Sequence, residues 1–137
     1  MQLVQLPVNI NFKQCKDMEK DHYIGVDISR KTIDVAIYVK NQAKKGAFPH
    51  ETFLNSEEGF KDMKKWLRKQ HVVLSKSLFC MEATGNYTYE LCLFLEQLGV
   101  AYSIQSLLHL KRSFGLTHGK NDKVDASRIA YYAYSPS

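Results

Sequence analysis

A chain of 137 residues with 45% hydrophobic content and a net charge of +5 suits one domain with a real core and excludes a disordered tail. No apolar run approaches the length needed to cross a bilayer, and the first ten residues lack the basic flank of a signal peptide, so a cytoplasmic location is expected. The three cysteines (Cys15, Cys80 and Cys92) form no close pair and the five histidines no helical ligand spacing, which excludes a disulfide framework and a zinc knuckle. The basic balance favours an anionic partner such as nucleic acid, though only weakly.

Residues 1–21 mix polarities around Pro7 and end in a charged run from Lys16 to Asp21, the pattern of an arm or leader, although its Val-Gln-Leu-Pro-Val-Asn-Ile stretch suits an edge strand. From His22 the pattern sharpens. Ile24, Val26 and Ile28 alternate on one face of a strand while Tyr23, Gly25 and Asp27 share the other. The polar turn Ser29 to Thr32 leads into a second strand, Thr32 to Val39, with Ile33, Val35, Ile37 and Val39 on one face, and the two form a hairpin. Asp34 falls opposite Ile33 and Val35 and reads as a solvated or edge residue. A third strand is expected between Ala47 and Leu54.

Asn55 or Ser56 then caps a helix that runs to about Gln70, with Glu57 and Glu58 in its first turn, basic residues near its end, and Phe60, Met63, Trp66 and Leu67 as its buried stripe. Residues 77–83 are a nearly continuous apolar run, as in a central strand covered on both faces, and Glu82 closes it. Gly85 permits a tight turn. Asn86 is expected to cap the next helix, whose stripe is Leu91, Phe94, Leu95 and Leu98 and whose stop signal is Gly99. Residues 100–104 make the next strand. A basic segment then leads into Asp122 and Asp125, and Tyr131, Tyr132 and Tyr134 read as packing or interface residues.

Four acids carry the chemistry. If the chain is helical from Asp122, Asp122 and Asp125 project from one face and reach the same ligand, although on these residues alone an N-terminal cap, with Asp122 at the cap position and Asp125 answering it in the first turn, is the favoured account. Asp27 and Glu82 lie far away, on segments otherwise built to be buried, where a carboxylate is costly unless it is hydrogen-bonded, protonated or bound to a cation. A strand-end aspartate bonded to the turn at 29–32 is the plainer account of Asp27. Three antiparallel strands followed by alternating strands and helices form the ribonuclease H-like arrangement, a mixed five-stranded sheet flanked by helices. There a first-strand aspartate, a fourth-strand acid and late-helix acids converge. Such a group is tolerable when divalent cations neutralise it, and oxygen donors select Mg²⁺ or Mn²⁺. Two ions of this kind serve phosphodiester cleavage. Lys111, Arg112, Lys120, Lys123 and Arg128 surround the late acids and are candidate phosphate contacts.

The runs Tyr-Ile-Gly-Val-Asp-Ile-Ser at 23–29, Met-Glu-Ala-Thr-Gly-Asn-Tyr at 81–87 and Lys-Asn-Asp-Lys-Val-Asp-Ala-Ser-Arg-Ile-Ala at 120–130, in this order, resemble the IS110-type (Piv/MooV-like) transposases and DNA invertases. The resemblance covers residues 22–137. It implies a RuvC-like DEDD domain with Asp27, Glu82, Asp122 and Asp125 as its tetrad, Mg²⁺ or Mn²⁺ as cofactor, and DNA as substrate. It also implies a structured guide RNA and homo-oligomerisation as features of the full-length protein. Where the family commonly carries an Asn-Pro-like step after the strand at 100–104, this chain has Gln105 and Ser106. The family continues into a second domain with a conserved serine, so the chain reads as a truncated form or gene fragment. The alternatives are a nucleic-acid-binding or dimerisation module that does not cut, and an actin-like ATPase half. The ATPase is disfavoured by the lack of glycine in the turn at 29–32.

Overall fold

The computed structural model describes residues 9–10, 19–39, 48–82, 85–106 and 125–134. Its strands are β1 (Asn9–Ile10), β2 (His22–Ile28), β3 (Thr32–Val39), β4 (His50–Leu54), β5 (Ser77–Glu82) and β6 (Ala101–Gln105). Its helices are α1 (Glu57–Lys69), α2 (Tyr89–Leu98) and α3 (Ala126–Tyr134). The strands form one sheet in the order β1-β6-β5-β2-β3-β4. β2 pairs in parallel with β5, and β5 with β6, whereas β3 runs antiparallel to both β2 and β4. The five expected strands are therefore present in the ribonuclease H-like order, and the two-residue β1 adds a parallel sixth beside β6.

Alternation along the strands divides the core between two faces. Ile24, Val26, Ile33, Val35, Ile37, Phe79 and Met81 pack against Phe60, Met63 and Leu67 of α1 and Leu91 and Leu95 of α2. Each fully buried side chain of this size stabilises the fold by roughly 1.5–3 kcal/mol. On the opposite face Tyr23, Leu78 and Cys80 lie under Ile129, Tyr132 and Ala133 of α3. β5 is therefore covered on both sides, which is why it reads as a continuous apolar run.

Helix ends follow local chemistry. Ser56 caps α1, its hydroxyl accepting from the Gly59 N–H at 3.2 Å. α2 ends at Gly99 in the left-handed conformation, φ 70°, as the stop signal requires. Its start differs from expectation: a 3-10 turn over Gly85–Thr88 precedes it, so Asn86 lies inside that turn and Thr88 takes the cap position without a side-chain capping bond. Among the described residues no helix is long and apolar enough to cross a membrane.

Candidate active site at the carboxyl edge of the sheet

Pairing register decides which side chains meet. Tyr23 is level with Leu78 and Tyr38; Gly25 with Cys80 and Ala36; Val26 with Met81. The ladder ends there; the next residues along the two strands are Asp27 and Glu82, which alternation sets on the face that carries Tyr23, Leu78 and Cys80. Both residues are half-buried, each at the first position past the ladder on neighbouring strands. Asp27 is also opposite Asp34, Asp34 opposite Thr52, and Glu82 opposite Gln105. A polar row of Gln105, Glu82, Asp27, Asp34 and Thr52 thus crosses the carboxyl edge of the parallel strands.

Asp34 therefore belongs beside Asp27, half-buried, with one carboxylate oxygen accepting from the Thr52 hydroxyl at 2.6 Å. Reading β3 alone put Asp34 on the correct face of its strand but missed this neighbour, because face and register are separate facts. Gln105 is buried and donates to the Ser103 hydroxyl. The turn after Asp27 is closed by Ser29 and Thr32: the Ser29 N–H and hydroxyl both donate to the Thr32 carbonyl, at 2.9 and 3.0 Å.

The third acid arrives on α3. Behind the polar row lies a row of small residues, Ser103, Cys80, Gly25 and Ala36. The helix backbone rests on it so closely that a β-carbon at Gly25 would stand 2.1 Å from the Ala126 carbonyl oxygen and 2.3 Å from the Ala130 nitrogen. From there the helix runs back over Tyr23, and Tyr134 stacks on Tyr38 with ring centroids 4.4 Å apart. α3 is therefore antiparallel to β2, and its first turn opens toward Asp27 and Glu82. Asp125 caps that turn: its side chain accepts from the Arg128 N–H at 3.0 Å and its carbonyl from the Ile129 N–H at 3.0 Å. Asp125 thus stands at the cap position and not inside the first turn, while Asp122 lies outside the described residues.

Arg128 is exposed one turn along α3. Asp122 and the basic residues Lys111, Arg112, Lys120 and Lys123 lie outside the described residues. Among the described residues no group of three metal-binding side chains is close enough to hold an ion. In kind, the donors suit a hard cation: Asp27, Glu82 and Asp125 offer only carboxylate oxygen, and the polar row contains neither cysteine nor histidine. Gly25, Asp34 and Gln105 are the residues that sequence reasoning left out of the site. A glycine in the middle of an apolar strand was the available signal for a close backbone approach.

The family model of DEDD transposases of the IS110 type, described as a transposase, matches residues 24–137. Pilin gene-inverting proteins of Moraxella bovis and Moraxella lacunata are each 30% identical over 113 residues, covering 80% of this chain and 33% of their own length. The chain thus spans about a third of the length of the curated relatives it matches. Among solved structures, that of Thermus thermophilus RuvC aligns with a TM-score of 0.46 at 13% identity, covering 81% of this chain and 92% of that one. Since the family match runs from the first core strand to the last residue and takes in all three acid-bearing runs, the chain belongs to the IS110-type DEDD transposases.

Proposed function

We propose that this chain is the acid-bearing catalytic part of a DNA transposase or site-specific recombinase, which cleaves DNA phosphodiesters with Mg²⁺ or Mn²⁺ held by Asp27, Glu82, Asp122 and Asp125. One observation carries the reading: Asp27 and Glu82 are the residues that follow the last β2–β5 pair, Val26 and Met81, on the face that α3 covers, and the first turn of α3 lies over Gly25, two residues before Asp27. Like charges on adjacent strands repel, and a shared cation turns that repulsion into binding. Asp27 is held by its pairing with β3 and Glu82 by its pairing with β6, whereas Asp125 comes from a helix held by packing. Bound cations would activate the attacking water or hydroxyl and neutralise charge on the departing oxygen. Arg128 is assigned to the phosphate backbone, together with Lys111, Arg112, Lys120 and Lys123. The names of the Moraxella relatives describe inversion of a pilin gene, which supports DNA strand exchange as the wider reaction.

The test is metal-dependent cleavage of supercoiled and branched DNA. Asp27→Asn and Glu82→Gln should each lower the rate at least a hundredfold while leaving the circular dichroism spectrum intact, and retention of wild-type rates would reject the assignment. A second reading, a nucleic-acid-binding or dimerisation module that does not cut, is favoured by the lack of a three-ligand cluster among the described residues. It requires salt-dependent DNA affinity that survives both substitutions, with no cleavage in Mg²⁺ or Mn²⁺.

A further inference from the structure

The ladder between β2 and β5 ends at Val26 and Met81, one step before the two acids, and beyond it a side chain bridges the turns that follow the two strands. Asn55, the residue after β4, occupies that position. Its side-chain amide donates one hydrogen to the Ser29 carbonyl at 2.9 Å and the other to the Tyr87 carbonyl at 3.0 Å. Ser29 is two residues past Asp27, and Tyr87 is in the 3-10 turn that follows Glu82. The Asn55 backbone N–H adds a bond to the Lys31 carbonyl at 2.8 Å, in the same β2–β3 turn. Both amide hydrogens are thus used, and the reversed amide would set an oxygen against two carbonyls, so the orientation is chemically determined. The amide oxygen is buried and has no hydrogen-bond partner among the described residues, a cost that the two bridging bonds offset.

We propose that Asn55 is a positioning residue that ties the turn after Asp27 to the turn after Glu82 and so sets the spacing of the two carboxylates. The proposal rests on the reading of these acids as cation ligands. Neither aspartate nor alanine can make the tie: Asn55→Asp turns a carboxylate oxygen toward the two carbonyls at nearly constant shape, and Asn55→Ala leaves them without a donor. The neighbouring cap supplies the control, since Ser56→Ala destabilises α1 without touching either turn.

The experiment measures Mn²⁺ binding to the full 137-residue chain by electron paramagnetic resonance, together with amide hydrogen exchange and thermal melting. In Asn55→Asp and Asn55→Ala the Mn²⁺ Kd should rise at least tenfold, and exchange should quicken at least tenfold at Ser29–Lys31 and Gly85–Tyr87. Ser56→Ala should lower the melting midpoint while keeping Kd within twofold of wild type. Wild-type affinity in both Asn55 variants overturns the proposal, as does an equal loss of affinity in Ser56→Ala. Should Asn55→Asp fail to fold, Asn55→Ala carries the comparison. Asp27→Asn, run alongside, separates two kinds of failure. If it removes Mn²⁺ binding while the Asn55 variants bind normally, only the tie is wrong; if it leaves binding unchanged, the cation-site reading itself is wrong and the tie falls with it.

Discussion

Replacing Gly25 by alanine tests the packing that brings the third acid to the sheet. The added β-carbon would stand 2.1 Å from the Ala126 carbonyl oxygen, 2.3 Å from the Ala130 nitrogen and 3.0 Å from the Ala130 α-carbon. All three are backbone atoms, so no side chain can swing aside. To reach the 3.4 Å at which ordinary contact begins, α3 must retreat by about 1.3 Å. That retreat separates Ile129, Tyr132 and Ala133 from Tyr23, Leu78 and Cys80, and overpacking of this kind costs about 1–3 kcal/mol. It also carries Asp125 away from Asp27 and Glu82, and a misplacement of about 1 Å in a catalytic group can cost on the order of a hundredfold in rate. Urea denaturation followed by tyrosine fluorescence and Mg²⁺-dependent DNA cleavage read the two effects separately. A Gly25→Ala chain with unchanged unfolding midpoint and unchanged cleavage would refute the account of how α3 is seated.

Asp125 both caps α3 and is assigned to the cation, and two substitutions separate these roles. Asn is as good a cap as Asp, so Asp125→Asn should change stability by no more than a few tenths of a kcal/mol yet weaken Mn²⁺ binding, whereas Asp125→Ala should in addition lose about 1 kcal/mol in urea melts. Cation binding should raise the melting temperature of the chain, by RT ln(1 + [L]/Kd) in free energy, and chelator or Glu82→Gln should abolish the rise in a differential scanning experiment. Burial, reinforced by Glu96, pushes the Cys92 thiol up from its usual 9.0 to about 11. The folded chain therefore keeps this proton in a pH range where the unfolded chain releases it, so stability is full below pH 9 and falls by on the order of 1–2 kcal/mol as pH rises to 11. The burial-raised Tyr102 hydroxyl acts in the same direction, so Cys92→Ala should flatten the decline in urea midpoints above pH 9 only in part.

Period-two alternation over 22–28 and 32–39, the apolar run at 77–82 and the stripe Phe60, Met63 and Leu67 were legible because each is a local pattern imposed by one buried face. The acids at 27 and 82 stood out for the same reason, as charges interrupting those patterns. Partnerships between distant segments were not legible. Gly25 looked like an ordinary strand glycine until α3, a hundred residues later, was laid against it. Asp34 looked solvated until the register set it beside Asp27. Asn55 looked like a helix cap, but Ser56 does that work, and its amide spans two turns whose nearness depends on the whole sheet. Asp122 and four of the five candidate phosphate contacts fall outside the described residues, where sequence remains the source for their assignment.

The carboxylates at the strand ends also bear on how the chain avoids wrong folds. If β5 slid by one residue against β2, Glu82 would turn into the aliphatic layer beneath α1 and α2, and Met81 would emerge in its place. Burying an uncompensated charge there costs several kcal/mol, so the misaligned sheet is rejected while it forms. Acids at this edge thus proofread the strand alignment, a duty they would keep even in a relative that had lost its chemistry.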